Sequence, residues 1–265
     1  MTVHTPFQHP TTVLLAGPTM CGKTHFLLQM LARHALQPPP QRIILVYGEW
    51  QPAYDHLQNM VYEGTLPQVE FVKNFDDALY QTINPDTRNL VIVDDQMENS
   101  GVHRSSKKQQ GGHLTQYFTQ GAHHRNLTVI YIVQNLFHQD PSMRTISLNS
   151  HYIVAFKIPR DKTQIRTLGC QMFPSNATFL LDVYDDATDV PYGYLLMDLR
   201  PNTPDLIRIR TDVLEETSPT IYVEAHRVAA ALAHRVVHQR SPVKSPRSRQ
   251  PPLKSQRRPP AAGRR

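Results

Sequence analysis

The 265-residue sequence holds two cysteines, Cys21 and Cys170, and a single tryptophan, Trp50. Two thiols so far apart make neither a zinc-ligand spacing nor a disulfide framework. His123 and His124 are adjacent and lack ligand spacing as well, so solvated histidines are expected there. No run approaches the ~18 apolar residues that a membrane span requires. Residues 1–10 (MTVHTPFQHP) have neither an apolar core nor flanking lysines, so no secretion signal is expected and the segment reads as a flexible lead-in. Acid is missing from the other end. From Arg227 onward there are 11 Lys/Arg and no Asp/Glu, so the net charge of +6 divides unevenly. The preceding residues carry 17 basic against 22 acidic side chains, a net of −5. A mildly acidic body with a basic tail points to an appended arm rather than to a basic fold.

That tail, residues 239–265, is proline, serine and arginine with little apolar surface, and it is expected to be disordered. It is open to three readings: an arm that binds polyanions, a nuclear import signal, or Ser-Pro phosphosites at Ser241 and Ser245. The 40% hydrophobic content of the whole sequence suffices for one large α/β domain, placed ahead of the tail at residues 11–238.

What the chain does contain is Gly17, Pro18, Thr19, Met20, Cys21, Gly22, Lys23 and Thr24, which fit the pattern G-x-x-x-x-G-K-[ST]. Residues 11–16 ahead of it read as a buried strand, and residues 24–35 behind it as a helix. Such a loop lets the backbone turn and aim N–H groups at phosphate oxygens, next to the positive end of a helix. Lys23 then reaches the β- and γ-phosphates of ATP and the Thr24 hydroxyl coordinates Mg²⁺. The competing reading, a glycine turn before a surface helix, leaves the preceding strand unexplained. Cys21 within the loop favours a reducing compartment, cytosol or nucleus.

Further buried strands are expected at 43–47, 69–72, 90–93, 127–133 and 152–156, with helices at 52–60, 75–83, 113–124, 163–173 and 224–237. A hairpin is expected from 192–199 and 206–209. The run 90–93 leads into Asp94 and Asp95, and the expectation is that it lies beside the loop strand. Asp94 would hold Mg²⁺ through water and Asp95 would activate the attacking water, unless the two only cap the strand and begin a turn. Gln134, at the end of 127–133, either senses the γ-phosphate or caps a turn. Trp50 either contacts ligand or packs a loop. Arg104, Lys107 and Lys108, in the polar stretch 98–112, are either solvated or contact DNA phosphates without reading sequence.

Taken together, the phosphate loop, the 90–95 strand, 121–126 (GAHHRN) leading into 131–135 (YIVQN), 145–152 (TISLNSHY), and 186–188 (DAT) ahead of 191–194 (PYGY) resemble the viral genome-packaging ATPases of the FtsK/HerA superfamily. Polinton (Maverick) and adintovirus-type ATPases look nearest and poxvirus ones more distant. The resemblance covers roughly residues 10–215. It implies a RecA-like P-loop core with a mostly parallel sheet flanked by helices, and one strand interposed between the two motif strands. It also implies an oligomeric ring that pumps double-stranded DNA into a preformed capsid through a portal-like vertex, in the host nucleus or cytoplasm. Gln134 takes the sensor role in this likeness. An arginine finger from a neighbouring subunit is implied too, with Arg144 or Arg160 as candidates, because Arg125 precedes its strand. Two departures stand out. Met20 occupies a position where glycine is common, and Asp95 one where many relatives carry the longer glutamate. The alternatives are a small-molecule kinase, for which no arginine-rich lid is evident, and a DNA- or capsid-binding protein with a silent nucleotide site.

Overall fold

Strands buried on both faces read as unbroken apolar runs, and that is how the anticipated runs fold. In the computed structural model, residues 7–73, 75, 77–94, 114–136 and 141–228 are described. Residues up to Ala225 make one compact unit, and 226–228, in helical conformation, belong to a second. The chain runs β1 (Phe7–Gln8), β2 (Thr12–Ala16), α1 (Lys23–Ala32), β3 (Leu36–Gln37), β4 (Arg42–Tyr47), α2 (Ala53–Tyr62), β5 (Val69–Lys73), α3 (Asp77–Gln81) and β6 (Asn89–Asp94). A π-helical turn (Tyr117–Gly121) then leads into α4 (Ala122–His124), β7 (Leu127–Val133), α5 (Pro141–Leu148), β8 (Tyr152–Phe156), α6 (Thr163–Met172) and α7 (Phe179–Ala187). The last strands are β9 (Tyr194–Asp198), β10 (Ile209–Thr211) and β11 (Thr220–Tyr222).

Among the described residues the main sheet has nine strands in the order β11-β10-β9-β8-β2-β7-β6-β4-β5. From β8 to β5 all neighbours are parallel, while β9, β10 and β11 extend the sheet antiparallel. The α/β fold with a mostly parallel central sheet flanked by helices is therefore as expected. The acid strand β6 does not lie beside the loop strand β2, however; β7 pairs with both. That corrects the expectation drawn from the residues and agrees with the interposed strand implied by the resemblance.

Side-chain alternation along the strands builds two cores. Val13, Leu15, Ile43, Leu45, Leu90, Ile92, Ile130 and Ile132 face α1 and α2 and pack with Phe26, Leu27, Met30 and Leu57. Leu14, Ala16, Ile44, Val91, Val93, Val129 and Tyr131 face the other way, onto Met143, Ile146, Ile165, Leu168, Leu180 and Tyr184. Each such side chain contributes roughly 1.5–3 kcal/mol on full burial. The two sets together cover both faces of β2, β4, β6 and β7.

Residues 7–10 are not a flexible lead-in. Phe7 is buried, with its ring edge-on to Phe26 and Tyr152, and β1 pairs with β3. A lone apolar residue among polar neighbours hides this in the sequence. Helices α5 and α7 and strand β11 are additions, and the hairpin partner of β9 begins at Ile209 rather than at residue 206. The tail 239–265 lies outside the described residues.

A buried ion cluster locks the hairpin. Asp198, fully buried at the end of β9, accepts from Arg210 on β10 at 3.1 Å and from Arg200 at 2.8 Å and 3.0 Å. The Thr203 hydroxyl adds a fourth donor at 2.9 Å. Arg200 also lies over the Tyr152 ring, 4.7 Å from its centroid. Burial pushes the Tyr152 phenol up to about 12, so it stays neutral in the physiological range.

Candidate nucleotide-binding site

Because β2, β4, β6, β7 and β8 are parallel, their carboxyl ends share one edge, where open α/β sheets place ligands. The loop 17–24 leaves β2 at that edge, and the Gly17 N–H donates to the Val133 carbonyl of β7 at 3.1 Å. Two glycines are required by space and by dihedral. A Cβ on Gly17 would come within 2.7 Å of Cys21 Sγ and 2.8 Å of Phe156 Cβ. Gly22 has φ 106, a left-handed conformation that side chains resist, and a Cβ there would meet Tyr192 at 3.2 Å. Met20 also has φ 66 and is 91% exposed, so its side chain projects into solvent rather than into the loop. The left-handed backbone explains why glycine suits this position; methionine carries a cost of roughly 1–2 kcal/mol there.

Lys23 opens α1 and folds back over the loop. Its ammonium donates to the Gly17 carbonyl at 2.5 Å and to the Pro18 carbonyl at 2.8 Å, with Cys21 Sγ at 3.9 Å. Burial raises the Cys21 thiol above its ordinary value, outweighing the opposing charge of Lys23, so the sulfur remains a thiol at neutral pH. Thr19 is exposed, and Pro18 and Thr24 are half-buried.

Asp94 ends β6 with its side chain on the α1–α2 side of the sheet. It is buried, and its Oδ2 accepts from the Tyr54 hydroxyl at 2.6 Å and from Gln51 Nε2 at 3.4 Å. Tyr54 is itself 1% exposed, on the inner face of α2. Neither donor was foreseen. An amphipathic helix pattern says that Tyr54 is buried, not that its hydroxyl meets an acid from a strand three elements further along the chain. Removing a donor from a buried carboxylate costs roughly 1–3 kcal/mol. Tyr54→Phe is expected to lose about that much in denaturant unfolding; a change below ~0.5 kcal/mol, the scale of neutral surface substitutions, would mean that the bond does not hold Asp94.

Trp50 packs on neighbouring aromatics and is 42% exposed. It is edge-on to Tyr47 and Tyr54, tilted against Phe71, and its indole N–H donates to Asp55 at 3.1 Å. Gln134 and Asn135 are exposed at the tip of β7, between the ends of β2 and β6. The neighbouring Leu136 N–H donates to Gln164 Oε1 at 2.8 Å. Gln164, buried at the start of α6, in turn donates to Asp161 at 3.4 Å. Asp161 also accepts from the Thr163 hydroxyl and N–H, which lower its carboxyl. The β7 tip and the loop carrying Arg160 are thus tied together, a link with no local sequence signal. Arg160, after β8, and Arg144, on α5, are both exposed. Arg125 instead lies at the opposite end of the sheet, donating to the Ile83 carbonyl at 3.2 Å and stacked over Tyr80. Asp95, Arg104, Lys107 and Lys108 lie outside the described residues.

Fold and loop together define a P-loop NTPase-type α/β core. No protein-family model matches the chain, and no curated protein matches it. Among solved structures it is similar to the genome packaging NTPase B204 from Sulfolobus turreted icosahedral virus 2 in complex with ATP-gammaS, at 15% identity and TM-score 0.47, over 76% of this chain and 96% of that one. It is also similar to the cytoplasmic domain of the Thermomonospora curvata Type VII secretion ATPase EccC, at 12% identity and TM-score 0.48, over 73% of this chain and 24% of that one. Likeness at this level assigns the chain to no family. No helix among the described residues is long and apolar enough to cross a membrane.

Proposed function

We propose that the chain is an ATP-hydrolysing motor subunit that moves double-stranded DNA into a viral capsid and works as a homo-oligomeric ring. The observation that carries the nucleotide part is the placement of Lys23: its ammonium is folded over the mouth of a glycine loop at the carboxyl edge of a parallel sheet. The assignment of DNA as the load rests on the sequence resemblance of the 121–135 and 145–152 segments.

In this reading the N–H groups of 17–24 and Lys23 bind the β- and γ-phosphates of ATP. The Thr24 hydroxyl and the Asp94 carboxylate are hard oxygen donors of the kind Mg²⁺ takes. When bound, the ion would neutralise phosphate charge as it develops. Tyr54 and Gln51 hold Asp94 in one orientation. Asp95, the residue after β6, accepts the proton of the attacking water, and Gln134 orients that water from the strand between loop and acid. Arg144 or Arg160 of a neighbouring subunit completes the charge stabilisation, a contribution of roughly 10³–10⁵ in rate where such fingers operate. Arg104, Lys107 and Lys108 contact DNA phosphates, and the loading surface faces a capsid or portal-like component. The tail 239–265 is an accessory basic arm.

The test is the ATP hydrolysis rate of the full chain with and without linear duplex DNA, alongside the mass of the assembly. Hydrolysis that rises several-fold with duplex and a discrete multimer are expected. Hydrolysis indifferent to duplex DNA would remove the motor reading, and no hydrolysis at all would remove the enzyme.

A further inference from the structure

A nucleotide whose phosphates are held by 17–24 must carry its nucleoside out of the loop past the first turn of α1. The residue standing there is Tyr192. Its ring Cδ1 and its Cβ lie 3.2 and 3.3 Å from the point that a Cβ on Gly22 would occupy. The side chain is nonetheless 67% exposed, so burial does not explain why an aromatic stands at this place. Its backbone sits at φ 61, a left-handed conformation unusual for a bulky residue. The turn imposes it. Gly193 N–H donates to the Val190 carbonyl at 3.0 Å, and a Cβ on Gly193 would come within 2.5 Å of the Ala187 carbonyl oxygen. Strain that the surroundings over-determine, beside a binding loop, is a mark of function.

We infer that Tyr192 is the platform on which the base of a bound nucleoside triphosphate stacks; the inference rests on the reading of 17–24 as a nucleoside-triphosphate site. An exposed aromatic beside the loop, carried on a backbone that its turn fixes, offers a base a flat partner. A cavity of about 270 Å³ adjoins the same turn, lined in part by Lys157, Lys162, Asp185, Thr188 and Asp189. It opens where β8 ends, at Lys157 and Ile158, beside Tyr184, whose hydroxyl donates to the Phe156 carbonyl at 2.8 Å. Its Lys162–Asp185 ion pair, at 2.6 Å, and its Thr188 and Asp189 groups line the space available to the ribose. Every base has a π-face, so Tyr192 selects for the presence of a base and not for its identity.

The experiment measures equilibrium binding of ATP, GTP and inorganic tripolyphosphate to the full chain and to Tyr192→Ala and Tyr192→Phe. Tyr192→Ala is expected to weaken ATP and GTP by about tenfold and to leave tripolyphosphate unchanged, while Tyr192→Phe binds all three as the unaltered chain does. Equal losses for ATP and tripolyphosphate in Tyr192→Ala would mean that Tyr192 only shapes the loop, and would overturn the inference. So would loss of ATP affinity in Tyr192→Phe, or no loss in Tyr192→Ala. If the unaltered chain binds neither ATP nor tripolyphosphate, the nucleotide-site reading itself fails, an outcome distinct from the others.

Discussion

Lys23→Ala should lower ATP turnover by about 10²–10³-fold, the range seen when a single preorganised donor is removed from a developing charge. The fold should survive. Lys23 is half-buried at the rim and belongs to neither apolar core, so a stability change within ~1 kcal/mol is expected. The size of the activity loss follows from where the ammonium already is. Donating to the Gly17 and Pro18 carbonyls at 2.5 and 2.8 Å, it is held at the loop mouth, and phosphate oxygens compete for the same protons over a short displacement. Little reorganisation remains at the reactive moment. Lys23→Arg should not rescue, because a planar, forked guanidinium cannot replace a compact point charge among loop carbonyls. Steady-state hydrolysis with a thermal unfolding curve for each variant decides the matter, and undiminished turnover in Lys23→Ala would sink the site.

The largest effect on stability is expected far from that edge. Asp198→Ala strands Arg210, 2% exposed, and Arg200, 14% exposed in its side chain, without the carboxylate that both of them bond. Breaking a buried pair by removing one partner costs about 3–5 kcal/mol, or a fall in Tm of very roughly 6–20 °C at 2–4 °C per kcal/mol for a domain of this size. Burial already lowers the Arg210 guanidinium from its ordinary value, which shows the strain that the carboxylate offsets. The double change Asp198→Leu with Arg210→Met should cost less than the two single changes added together, because it removes the buried Arg210 charge along with its carboxylate and leaves only Arg200, the more exposed of the two arginines, without that partner. Urea unfolding of the four species measures this. A single-variant loss under ~1 kcal/mol would show that the cluster is dispensable.

Much of the nucleotide edge was legible because its signals are local. The strand–loop–helix unit 12–32 announces itself through a β-branched run, two glycines and a lysine, and the run into Asp94 does so through four aliphatics. Even the exposed Met20 follows from a loop geometry that wants glycine. Strand order was different. β7 and β6 are equally aliphatic, and nothing in either run says which of them pairs with β2. Only the wider motif set implied the interposed strand. Tyr54, Gln51 and Gln164 were missed, and Tyr192 was quoted within 191–194 without a role, for a related reason: each lies against residues far away in sequence, and a local pattern reports burial without naming the partner. β1 and β3, two residues apiece, fall below any periodicity. Helix α5 begins at Pro141 and carries few apolar residues, so the helical period is faint, although Met143 and Ile146 are its buried pair.

The interposed β7 has a mechanical meaning. Gly17 is bonded to its Val133, Asp94 is in register with its Ile132, and Gln134 directly follows it. The separation between the phosphate loop and the acid is therefore set by one shared strand, which acts as a spacer gauge between them. A shift of β7 along its neighbours would displace Val133 from Gly17 and Ile132 from Asp94 in the same movement, so the two spacings are one structural quantity.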